Sequence, residues 1–85
     1  MSKSASQVAL SKNQVDRLVE MINRGVESKG IEGMAAFAKM SPDDVCKARD
    51  YRLRIDIDLV ESFCRNTGVS ISYILDGKFP VYLST

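Results

Sequence analysis

Eighty-five residues, 45% of them hydrophobic and with a formal net charge of +1, make one domain close to the lower size at which a core sustains a fold unaided. The near balance of 12 Lys and Arg against 11 Asp and Glu excludes a nucleic-acid partner held by bulk charge, so any basic surface must be local. The chain has no histidine, and its two cysteines, Cys46 and Cys64, fall on the apolar sides of predicted helices. Zinc-ligand spacing and a Cys/His nucleophile pair are therefore absent, and both thiols read as reduced small hydrophobes in a cytoplasmic protein. The apolar runs are too short to span a membrane, and Met1 to Leu10 lacks the apolar stretch of a signal peptide.

Residues 1–10 are small, polar and serine-rich, which predicts a flexible N-terminal arm able to order on a partner. Ser11-Lys12-Asn13-Gln14 fits a capping box. Val15, Leu18, Val19, Ile22 and Val26 then recur at helical spacing, predicting an amphipathic helix that ends near Lys29-Gly30. A short second helix is predicted over Met34 to Ala38, with Gly33 weakening its start and its alanines permitting close approach. Ser41 serves as the N-cap of a third helix, Pro42 occupies its first position, and Asp43 and Asp44 lie in its first turn, where the helix dipole favours anions. Val45, Ala48 and Tyr51 are its candidate inner stripe, followed by an arginine-rich segment, Tyr51 to Arg54, leading into a loop.

Either Asp56 or Asp58 can cap the fourth helix, with Ile57, Val60, Phe63 and Cys64 on its apolar face and Gly68 as its stop. The acids Asp56, Asp58 and Glu61 are better explained by that helix start than by a metal, which needs more oxygen ligands. Ser70 opens a fifth helix over Ile71 to Leu75, closed by Asp76-Gly77. In residues 78–85 the pattern changes to a period of two, Phe79, Val81 and Leu83 alternating with Pro80, Tyr82 and Ser84, as in a short β-strand. Such a strand is an edge that wants pairing. A second subunit could supply it across a two-fold axis, or the tail could fold back over its own core. Pro80 limits either pairing to a short one.

Three stretches, Met34-Ala35-x-x-Ala38-x-Met40-Ser41, Val45-x-x-Ala48 and Leu59 to Gly77, together resemble the helix-turn-helix domain of phage repressor and Cro-like regulators. The most specific part is Gly68-Val69-Ser70 followed by Tyr73-Ile74-Leu75-Asp76-Gly77, and the resemblance covers residues 12–77. It implies an all-α, compact five-helix domain (11–77) whose second and third helices bind DNA, acting as a homodimer on operator DNA. Cro-like proteins dimerise through C-terminal strands, which here places the contact on Phe79, Val81 and Leu83.

The chain departs from the family in two ways. Lys39 stands where the turn between the second and third helices usually has a glycine, often in left-handed backbone. The positions that read bases fall on Pro42, Asp43, Asp44, Cys46 and Lys47, of which only Lys47 is an obvious partner for phosphate or guanine. The candidate DNA-binding residues are thus Lys39, Ser41, Asp43, Cys46, Lys47, Arg49, Arg52 and Arg54. The five cations among them are set against Asp43, Asp44 and Asp50, a thin basic footprint. The leading expectation is a single-domain transcriptional regulator without an effector domain. The alternative is a protein-interaction module on the same scaffold, an antirepressor or antitoxin-like protein that binds another regulatory protein. With no nucleophile and base pair and no phosphate-cradling glycine loop, the sequence predicts no enzyme, cofactor, metal or small-molecule ligand.

Overall fold

A computed structural model describes residues 10–82 of the chain; the expected arm over 1–9 and the tail position Leu83 lie outside the described residues. Four helices follow in order, α1 (Lys12–Ala38), α2 (Pro42–Arg49), α3 (Ile57–Thr67) and α4 (Ile71–Asp76). The expectation of an all-α architecture holds. The count differs, because α1 runs through both of the first two predicted helices.

The start of α1 is the predicted capping box: Ser11 Oγ accepts from Gln14 N, and Gln14 Oε1 accepts from Ser11 N at 2.8 Å. At Gly30 the backbone leaves helical geometry (φ 78, ψ 170), a region open essentially to glycine alone, and the helix is broken there. Its second segment resumes at once with Ile31, three residues before the predicted start at Met34. The half-buried Ile31 packs against the core, and this contact outweighs the weak helix propensity of Gly33. The two segments pack tightly, since a Cβ on Gly25 would collide with the Met34 sulfur.

One core joins all four helices. Leu18 and Ile22 of α1, Val45 of α2, Val60 and Phe63 of α3 and Ile74 of α4 are fully buried, with Met34, Ala35, Ala38 and Ala48 completing the cluster. Leu10, assigned by the sequence to the arm, is half-buried against this core. The predicted stops hold as well: Gly68 and Gly77 close α3 and α4 in left-handed backbone. Of the two candidate caps for α3, Asp56 is the one used, its carboxylate accepting from Leu59 N at 2.9 Å.

Tyr51 is not on the inner stripe of α2. It lies beyond the helix end at φ 59, 56% exposed, and its hydroxyl donates to Asp16 Oδ1 on α1 at 2.7 Å. The left-handed residue turns the chain before another helical turn could bring position 51 back to the core.

Up to Tyr82 the tail folds back on its own chain. Val69 and Tyr82 form a single antiparallel bridge, Ser70 N donates to Val81 O at 2.7 Å, and Val81 packs partly against the core. Phe79 is 79% exposed, its ring 5.9 Å from that of Tyr73. Phe79 and Val81 therefore do not share a face as strict alternation predicts. One bridge and one flanking hydrogen bond fix the tail locally without imposing the period of a continuous strand.

Candidate functional site

The second segment of α1, the turn Lys39-Met40-Ser41 and α2 form one unit built from local backbone rules. Lys39 adopts left-handed backbone (φ 57, ψ 44), its N–H donating to Ala36 O and that of Met40 to Ala35 O at 2.8 Å. Those two bonds are a Schellman closure with lysine where glycine is usual. Ser41 then caps α2, its hydroxyl accepting from Asp44 N at 3.0 Å. The turn is fastened from behind by α3, where Asn66 Nδ2 donates to Ala38 O at 3.1 Å.

The far end of α2 repeats the device. Tyr51 N donates to Ala48 O and Arg52 N to Lys47 O at 2.7 Å, a second Schellman closure around a residue with positive φ. Two left-handed residues other than glycine thus bracket the eight-residue helix. The tyrosine bracket is tied to α1 through Asp16, which also pairs with Lys12 at 2.9 Å. The Lys12 ammonium and, after it, the Tyr51 hydroxyl hold the Asp16 carboxyl below its ordinary value, while the bond to Asp16 raises the Tyr51 hydroxyl above its own.

On the outer side of α2 the charges are partly spoken for. Lys47 Nζ lies 3.1 Å from Asp43 Oδ2, one turn earlier, and that hydrogen-bonded carboxylate raises the ammonium above its ordinary value. Arg49 Nε donates to Asn23 Oδ1 of α1 at 2.8 Å, which holds its guanidinium against the scaffold. Lys39, Arg52 and Arg54 are exposed and, among the described residues, form no ion pair. Asp44 and Cys46 are half-buried, and Cys46 lines an open polar groove with Asn23, Glu27, Arg49 and Asp50 between α1 and α2.

The eight candidate residues therefore fall on one continuous stretch, from the turn before α2 to the segment after it. Phe79 and Val81 belong to the tail beside Val69 and Ser70. Both cysteines are free thiols; burial of Cys64 pushes its thiol up to about 11. Among the described residues no group of three His, Cys, Asp or Glu side chains could hold a metal, and no helix is long and apolar enough to cross a membrane.

Sequence reasoning missed the residues that position this unit. Asn23, Asn66 and Asp16 act on partners 26, 28 and 35 residues away, so no local pattern marks them. Arg17 is of the same kind, its Nε donating to Ile74 O at 2.8 Å, and Gln14 has a second contact beyond its capping box, its Nε2 donating to Leu75 O at 3.1 Å; together they satisfy the carbonyl end of α4.

Comparison with family models, with curated proteins and with solved structures gives no match.

Proposed function

We propose that this protein is a DNA-binding transcriptional regulator whose α1 second segment and α2 act as a helix-turn-helix, the Gly30 break giving five helical segments in the repressor-like order. The observation that carries this reading is the turn: two short helical segments meet at a left-handed Lys39, with Ser41 capping α2 and Val45 and Ala48 buried beneath it. That arrangement leaves the start of α2 exposed for the major groove, the placement of a recognition helix. Lys39, Arg52 and Arg54 lie at the two ends of that helix, where their charges are available to phosphates.

A homodimer on operator DNA fits a domain this small. The tail offers Phe79 and Tyr82 as exposed aromatic surface, while Val81 packs partly against its own core. The protein works by binding, without catalysis, cofactor or small-molecule ligand, in the cytoplasm. Gel retardation with the duplex flanking its own gene tests the reading: a shifted band at low salt that fades as salt rises is expected, and no shift at low salt overturns it.

A second reading is favoured by one specific observation. Lys47 is paired with Asp43 and Arg49 is bound to Asn23, which withdraws two of the five cations from phosphate. The same face would then dock a basic surface of another regulatory protein. The double change Asp43→Lys with Asp44→Lys separates the two: it strengthens non-specific DNA binding under the first and abolishes protein capture under the second.

A further inference from the structure

Ser41 is the cap of α2, and Asp43 stands in the first turn, where the helix dipole favours an acid. Its side chain is 74% exposed and its Oδ2 lies 3.1 Å from Nζ of Lys47, which is 46% exposed. An acceptor and a donor are thus held side by side at hydrogen-bond separation on the outer surface of the helix. The polar edge of a base pair has the complementary arrangement, because its amino donor and carbonyl acceptor are bonded to each other at about 2.9 Å.

The two kinds of base pair differ in order. In the major groove a G·C pair presents guanine N7 and O6, two neighbouring acceptors, and then the cytosine N4 amino group. An ammonium over the acceptors and a carboxylate over the amino group leave no like charges opposed. An A·T pair presents acceptor, donor and acceptor, so a carboxylate above the adenine amino group would have an acceptor on either side. We propose that Asp43 and Lys47 act as one unit that selects a G·C base pair, Asp43 accepting from cytosine N4 and Lys47 donating to guanine O6 and N7.

The inference rests on the DNA-binding reading above. It also accounts for the presence of an acid on a surface that meets phosphate. Pairing with Asp43 draws Lys47 away from the backbone, so the unit contributes sequence discrimination in place of general attraction. The neighbouring Asp44 has a different part, being half-buried with its N–H bonded to Ser41 Oγ.

Selection of tight binders from a library of duplexes with a randomised centre tests the assignment. It is run with the wild-type chain, Asp43→Ala, Lys47→Ala and Glu61→Ala, an exposed acid of α3 outside the unit, each checked for helix content by circular dichroism. The wild type and Glu61→Ala should enrich a fixed G·C position in each half-site. Asp43→Ala and Lys47→Ala should lose that preference by roughly tenfold while still retaining DNA. An unchanged G·C position in Asp43→Ala, or a wild-type position that is A·T, overturns the assignment and leaves the DNA-binding reading standing. If the wild type enriches no duplex at low salt, the DNA-binding reading itself falls and the assignment with it.

Discussion

The helix ends on the two sides of this molecule are closed differently. Around α2 the left-handed positions are Lys39 and Tyr51, whereas α3 and α4 end on Gly68 and Gly77. Left-handed backbone costs a residue with a Cβ about 1–2 kcal/mol relative to right-handed backbone, a cost glycine does not bear. The ends of α3 and α4 use glycine. The unit that carries the candidate site keeps a lysine and a tyrosine: an exposed cation at the start of α2, and a hydroxyl tied to Asp16 at its end. Backbone strain is thus retained on both sides of α2 and avoided at the ends of α3 and α4.

Substitutions at these ends should separate the two sides. The largest effect is expected at Gly68, where φ is +83 and nothing lies within 4 Å of an added Cβ, so that only the backbone penalty is felt. Gly68→Ala should lower the stability measured by urea unfolding by about 1–2 kcal/mol. Next comes Asn66→Ala, which removes the donor to Ala38 O behind the turn. A loss of about 1 kcal/mol is expected, together with weaker DNA binding because the start of α2 is no longer held.

Lys39→Gly should change stability in the opposite direction, raising it by up to about 1 kcal/mol while reducing affinity for duplex DNA. If both quantities fell, the lysine would not be a strained residue kept for its charge. Tyr51→Gly should gain less than Lys39→Gly, because relief of the backbone is offset by loss of the bond to Asp16.

A pH dependence is expected on the side of α3 and α4, confined to alkaline solution. The folded Cys64 thiol titrates at about 11, above its ordinary value of 9, so its neutral form is favoured in the fold. Its contribution is complete below pH 9 and is lost as pH rises toward about 11. Urea midpoints across that range should fall in the wild type and fall less in Cys64→Ala.

Much of this fold could be read from short-range chemistry. Ser11, Ser41, Asp56 and Ser70 cap the helices that their sequence context marks, and Gly68 and Gly77 end theirs. These devices act within four residues, which is the range over which a sequence pattern is legible. The same range explains the failures. A glycine after Lys29 signals the end of a helix but not that another begins at the next residue. Tyr51 has helical spacing from Val45 and Ala48, yet its backbone had already left the helix. The candidate site was legible as a stretch, since its residues are contiguous from Lys39 to Arg54. What orients them was not legible: Asn23 on Arg49, Asn66 on Ala38 and Asp16 on Tyr51 are choices of tertiary packing. The tail shows the same limit, because a period of two records a preference for extended backbone and not which chain supplies the partner.

Under the proposed function, α2 and the cations at its ends bind duplex DNA. Fluorescence anisotropy of the labelled duplex flanking its own gene, titrated with the wild type and with the triple variant Lys39→Ala, Arg52→Ala, Arg54→Ala across a salt series, tests it most directly. For the proposed homodimer, with three phosphate contacts per subunit, wild-type binding should weaken on the order of a thousandfold between 50 and 200 mM salt, and the triple variant should show a much shallower dependence. Wild-type binding that is absent at low salt, or a salt dependence identical in the triple variant, would overturn the proposal.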